Sequence, residues 1–187
     1  MSRWEPDARG RLSVAAMELY VDRGFEQTTV ADIAERAGLT ERTFFRHFAD
    51  KREVLFSGQE HLQELFVYAV AQAPQDASPL AAVTAALHAA GTVFEARRPW
   101  SQERQRVINA NPGLQERDLS KMATLKSAVA VALKERGVGE PAASLTAEAC
   151  ISVFHVAFQR WIDTDNTRAF SEIVAEVVEA LKTVTAA

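Results

Sequence analysis

Apolar residues recur along this chain every three to four positions with polar residues between them, and Gly, Pro and Asn part the stretches so patterned. That period is one face of an α-helix, so the expected fold class is all-α. Leu12, Ala15, Ala16, Leu19 and Tyr20 form a first stripe that ends at Gly24, with Phe25 placed to fill the space beneath the next two helices. Val30, Ile33, Ala34 and Ala37 give a narrow second face, with Asp32, Glu35 and Arg36 outward. Thr29 stands three residues before Asp32, a capping-box pattern that covers the unpaired N–H groups of a first turn and starts a helix near Val30. Gly38 ends it, because a Gly adopts the left-handed conformation needed for a sharp turn. Thr40 then caps a further helix in which Phe44 and Phe48 point inward, joined by Leu39, while Thr40, Thr43 and His47 lie opposite. Asp50 and Glu53 repeat the cap pattern around Lys51 and predict another helix from there, its N-terminus and Lys51 together suited to a phosphate.

Beyond this, Gln72 to Pro79 is rich in Ala, Pro, Asp and Ser, and Ser78 with Pro79 can initiate the next helix. Breaks at Pro99, at Asn111 to Gly113 and at Gly137 to Pro141 predict helices near 80–97, 100–110, 114–136, 144–163 and 168–184. Two of these are apolar on more than one side. Cys150, Ile151, Val153, Phe154, Val156, Ala157, Phe158, Trp161 and Ile162 surround most of one helix axis, and Phe170, Ile173, Val174, Val177, Val178, Leu181 and Val184 form a broad stripe on the other. Such helices require wide cover, from the core or from a second subunit.

The spacing over 29–48, two short helices around a Gly-containing turn, is that of a helix-turn-helix, whose second helix enters a major groove. Small Ala34 and Ala37 allow the close crossing. From Arg36 to Arg52 there are five basic residues against two acidic ones, a local net charge of +3 in a chain whose net charge is −4. An acidic chain does not coat nucleic acid generally; binding would come from that basic face alone. Taken by itself the pattern also fits a helical hairpin with solvated basic residues. At 187 residues and 48% hydrophobic, the chain holds a small head and a larger body with a substantial core. No basic, apolar leader opens it and no apolar run nears about 18 residues, so a cytoplasmic protein is expected. The single Cys150 excludes an internal disulfide and any cysteine-based metal cluster, and its apolar helical surroundings suit a packing role.

The residues RLSVAAMELYVDRGFEQTTVADIAERAGLTERTFFRHFADKREVLF, positions 11 to 56, closely resemble the DNA-binding domain of the TetR family of bacterial transcriptional regulators. The GF, TTV, IA, AG, FRHF and K elements occur in the family's order and spacing. The resemblance implies a three-helix DNA-reading domain over 1–56 and a helical effector-binding and dimerisation domain over 57–187. It implies a homodimer on double-stranded palindromic operator DNA, controlled by a small-molecule effector, with no membrane partner and no cofactor. The positions it marks for DNA are Thr29, Thr40, Arg42, Thr43, Phe45, His47 and Lys51. Many family members carry Tyr at position 45, with a hydroxyl that bonds a phosphate. Phe45 lacks it, which leaves contact with sugar, contact with a thymine methyl, or partial burial.

Dimerisation in the family uses the last two helices, which points to Phe154, Phe158, Trp161, Val174, Val177 and Leu181. For the effector, polar groups interrupting apolar helical faces mark His88, Asn109, His155 and Gln159, with Gly91 making room beside His88 and Arg106 among nearby arginines. Each is also an ordinary core or surface residue taken singly. A faint resemblance of the body to acyl-coenzyme A-responsive members favours an elongated, apolar, acyl-bearing effector that releases a repressor from its operator. The alternatives are control by a cationic or aromatic drug-like compound, or a helical interaction protein without DNA binding. An enzyme is disfavoured: no His pair at metal-binding helical spacing, no phosphate-cradling Gly loop and no nucleophile motif occurs, so catalytic and metal residues are not assigned.

Overall fold

The computed structural model describes residues 7–186, and all regular structure among them is helical. In chain order the helices are α1 (Ala8–Arg23), α2 (Val30–Arg36), α3 (Glu41–His47), α4 (Gln59–Gln72), α5 (Pro79–Glu95), α6 (Arg98–Asn109), α7 (Pro112–Glu135), α8 (Ala142–Ile162) and α9 (Phe170–Thr185). They sort into two compact units, Met1–Gly58 with Glu103–Asp118, and Gln59–Gln102 with Leu119–Ala187.

The first unit is built on α1, whose Leu12, Ala15, Ala16, Leu19 and Tyr20 are buried as the stripe requires, together with Met17. Against it lie Ile33, Ala34, Phe44 and Phe48 from α2, α3 and the residue after it. The turn between α2 and α3 closes α2 with paired bonds: Gly38 N–H donates to Glu35 O at 2.9 Å and Leu39 N–H to Ala34 O at 2.8 Å. This arrangement needs a left-handed residue, and Gly38 has φ +66°. A Cβ there would also stand 2.9 Å from an Arg11 guanidinium nitrogen, which donates to Ala37 O across the same turn.

One helix starts later than its sequence predicts. From Lys51 to Gly58 the chain runs in turns, with Leu55 N–H on Arg52 O and Phe56 N–H on Glu53 O, and α4 begins only at Gln59. Val54, Leu55 and Phe56 are 1%, 4% and 3% exposed. The bonds that close this segment run from each N–H to the carbonyl three residues back, the tighter 3₁₀ spacing, rather than the four-residue spacing of an α-helix. Asp50 does cap the turn, accepting from Arg52 N–H at 2.8 Å and Glu53 N–H at 3.1 Å. The Glu53 carboxylate binds Arg117.

Residues 103–118, expected in the body, group instead with the first unit. Val107, Ile108 and Leu114 are buried there. Arg104 Nε donates to Leu55 O at 2.6 Å, its guanidinium lies 5.1 Å from the Phe56 ring centre, and it pairs with Asp118 at 2.9 Å.

In the second unit α5 is central and packs on α4, α8 and α9. Ser78 caps it through Ala81 N–H at 3.2 Å, with Pro79 in the first turn. Phe94, near its end, contacts four rings: Phe154, Phe158, Trp161 and Phe170, at centroid distances of 5.8, 5.7, 6.0 and 5.5 Å. Each such pair contributes about 0.5–1.5 kcal/mol beyond its buried area. Gly91 lets α9 approach, since a Cβ there would meet Phe170 Cδ1 at 3.1 Å.

The residues expected at a dimer surface lie in this core. Phe154, Phe158, Trp161, Val174 and Val177 are buried, and Leu181 is half-buried against them. A side chain covered within its own unit has no surface to offer a partner. The outer face of α8 is instead Leu145, Glu148, Ser152, His155, Val156 and Gln159. Cys150 is free and buried, and burial pushes its thiol up to about 12.

Candidate nucleic-acid interface

Two side-chain caps fix the helices of the motif. Thr29 N–H donates to Asp32 Oδ2 at 2.8 Å, the Thr29 hydroxyl donates to the same oxygen at 2.6 Å, and Asp32 N–H returns a bond to Thr29 Oγ1 at 3.1 Å. The Thr29 hydroxyl, and then its N–H, hold the Asp32 carboxyl below its ordinary value. At the next helix Thr40 Oγ1 accepts from Thr43 N–H at 3.2 Å, and the two hydroxyls lie 3.1 Å apart. Thr29 and Thr40, marked as DNA contacts, are therefore occupied in holding α2 and α3. Thr43 and His47 are half-buried on the flank of α3, and His47 Nε2 has no hydrogen-bond partner.

Lys51 is more heavily engaged. Its ammonium donates to three backbone carbonyls, Phe25 O at 2.9 Å, Thr28 O at 2.9 Å and Glu26 O at 3.3 Å, and sits 4.5 Å from the Phe25 ring centre. All three of its donors serve the α1–α2 connection. The Lys51 carbonyl in turn accepts from the Tyr20 hydroxyl at 2.6 Å. Of the other basic residues behind the local charge, Arg36 pairs with Glu18 at 3.0 Å and Arg52 with Asp50 at 2.6 Å.

What remains outward on α3 besides Glu41 in its first turn is a compact set. Arg42, Phe45 and Arg46 are exposed on adjoining positions, and neither arginine has a hydrogen bond or ion pair among the described residues. Phe45 is 56% exposed, its ring set edge-on against buried Phe44 at 5.5 Å and 85°. Arg46 is not among the positions that the resemblance marks, although the local charge count includes it. Its place on α3, four residues after Arg42, is the signal that could have found it.

The six effector candidates are divided between the two units. Arg106 and Asn109 belong to the first unit, where Arg106 pairs with Glu103 at 3.0 Å and Asn109 Oδ1 accepts from Gln105 at 2.8 Å. His155 and Gln159 lie on the exposed side of α8, His88 is half-buried, and Gly91 is taken up by Phe170. A different feature of the second unit has no signature in the sequence. The Trp161 indole N–H, fully buried among the rings, has no acceptor, and neither does Arg98 Nε, whose guanidinium lies 5.8 Å from the Trp161 ring centre. Arg98 Nη2 holds the chain after α8, donating to Asp163 O at 2.9 Å and to Asn166 O. Among the described residues no group of His, Cys, Asp and Glu is placed to hold a metal ion, and no helix is long and apolar enough to cross a membrane.

Comparison with known proteins agrees with this geometry. Residues 12–57 match the bacterial regulatory proteins of the tetR family, and residues 77–186 match the MftR C-terminal domain. The chain is 30% identical over 130 residues to the putative mycofactocin biosynthesis transcriptional regulator MftR of Mycobacterium tuberculosis, covering 69% of this chain and 65% of that protein. It is 41% identical over 81 residues to the HTH-type transcriptional regulator TcmR of Streptomyces glaucescens, covering 43% of this chain and 36% of the relative. The fold is similar to that of the regulator FadR of Bacillus subtilis, solved with stearoyl-CoA, with a TM-score of 0.64 at 16% identity over 92% of this chain and 96% of that one. These relatives are regulators rather than enzymes. The chain belongs to the TetR family of bacterial regulatory proteins, with a C-terminal domain of the MftR type.

Proposed function

We propose that this protein is a homodimeric repressor that binds a palindromic operator through the outward face of α3 and leaves it when an elongated apolar effector enters the second unit. The observation that carries the reading is the division of labour on the motif. Thr29, Thr40 and Lys51 are spent on fixing the helices, while Arg42 and Arg46 keep unengaged guanidinium groups beside exposed Phe45. Arginines on a rigid helix-turn-helix suit bidentate contact with guanine edges or phosphates. Selection of duplexes from a random pool by the full-length protein tests this, with enrichment of a pseudo-palindrome as the expected result. Failure to enrich any sequence favours the helical interaction protein without DNA binding.

The effector reading rests on the second unit's ring cluster and its two unpaired donors. A ligand with an apolar body and an acceptor end satisfies both Trp161 and Arg98, as an acyl chain ending in a carbonyl or carboxylate does. The stearoyl-CoA complex of a protein of similar fold supports the same class. The guanidinium of Arg98 disfavours the cationic, drug-like alternative by charge. Lauroyl-CoA and ethidium, titrated separately into the preformed protein and operator complex, decide between them. Release by lauroyl-CoA alone is the expected outcome, and release by ethidium alone overturns it. Ligand and DNA weaken each other's binding by one common factor, about 5- to 150-fold for typical couplings.

A further inference from the structure

We infer that Phe45 is a specificity-determining residue that reads the C5 methyl group of a thymine in the operator, an inference that rests on the operator-binding reading above. Phe45 is the large apolar side chain left exposed on the α2–α3 motif, at 56%, while its neighbours Phe44 and Phe48, at 0% and 4%, fill the core beneath. Its exposure removes partial burial from the roles open to it. The ring leans edge-on against Phe44, on a helix capped at its start by Thr40. A phenyl held in this way loses little rotamer freedom on contact.

The chemistry of the groove then selects the partner. A phenyl ring has no hydrogen-bond donor or acceptor, so against the guanine, adenine or cytosine edge it buries polar atoms without pairing them. The thymine edge alone presents a methyl group in the major groove. Phosphate contact is closed to a side chain without a hydroxyl, and sugar contact carries no preference among bases. Arg42 precedes Phe45 by one helical turn on the same face, so the thymine lies within one or two base steps of the base or phosphate that Arg42 meets.

Replacing thymine by uracil removes that methyl and changes nothing else in the base edge. In the selected operator, each thymine of a half-site, with its symmetry mate, is replaced in turn by deoxyuridine, and binding is measured by fluorescence anisotropy. Wild type loses about ten- to twentyfold in affinity at one symmetric position, the scale of two methyl groups, one per half-site. Phe45→Ala, which leaves the buried rings in place and melts like wild type, binds thymine and uracil operators equally. Phe45→Tyr keeps the methyl sensitivity. If uracil at every position leaves wild-type affinity unchanged, or if Phe45→Ala remains sensitive at the same position, the inference is wrong while the operator reading stands. If no duplex is selected at all, the operator reading itself has failed and this inference falls with it.

Discussion

Lys51 shows how much a single residue's role depends on atoms that sequence does not bring together. Its place beside an expected helix start suggests a phosphate anchor, yet its three donors close on carbonyls of Phe25, Glu26 and Thr28, more than twenty residues earlier in the chain. Which carbonyls face position 51 is decided by the packing of Tyr20 and Phe25, and no local pattern records it. Lys51→Ala therefore lowers the stability of the first unit by about 1–3 kcal/mol, because it strands partly buried carbonyls, and denaturant melting measures it. Any loss of DNA affinity then comes from the loosened head. Full stability with lost affinity returns Lys51 to the phosphate. Asp32 is the opposite case, since its bonds to Thr29 three residues away were legible in the sequence. With its pKa lowered in the folded state, chiefly by the Thr29 hydroxyl, the cap's contribution is complete above the ordinary carboxylate value and is lost as pH falls through the lowered one. Thr29→Ala costs about 1 kcal/mol at neutral pH, a difference that narrows in acid; a difference that stays constant down to about pH 2 contradicts this.

At the scale of elements, helix existence was legible, and helix facing was legible on α1, α2 and α3 but not on α8. Caps at Thr29, Thr40 and Ser78 and the turn at Gly38 are local chemistry, and each forms as its residues require. The segment 51–58 defeated the same reasoning: the cap at Asp50 forms, yet the chain runs in turns as far as Gly58, with Val54, Leu55 and Phe56 all buried. In α8 the apolar residues surround the axis, so period alone does not say which side meets the core. The structure turns Phe154, Phe158 and Trp161 inward and leaves Leu145, at 65% exposure, and Val156, at 46%, outside. If the dimer forms on this face, Val156→Glu yields a folded monomer in sedimentation at micromolar concentration, whereas Val174→Glu, placing a charge in the core, unfolds the chain. A folded dimer with Val156→Glu refers assembly to another surface.

For the whole molecule, the division into a small reading unit and a larger helical unit was legible from charge, punctuation and the resemblance over 11–56. The membership of Glu103–Asp118 in the first unit was not, because it depends on Arg104 and Arg117 reaching Leu55 and Glu53 across about fifty to sixty residues of chain. The structure also narrows the electrostatics. Of five basic residues between Arg36 and Arg52, three are occupied within the unit, and the acidic chain presents Arg42 and Arg46 as the unengaged cations of α3. The central claim is that this face of α3 meets DNA, and the salt dependence of operator binding tests it most directly. Affinity for the selected duplex is measured from low to physiological salt for wild type and for the Arg42→Ala, Arg46→Ala double variant. If both arginines reach phosphate, the slope of log affinity against log salt becomes shallower by about 1.8 per subunit bound. If they read base edges instead, affinity falls at particular base pairs by about 1–3 kcal/mol each. A double variant that keeps wild-type affinity, salt slope and sequence preference contradicts the account.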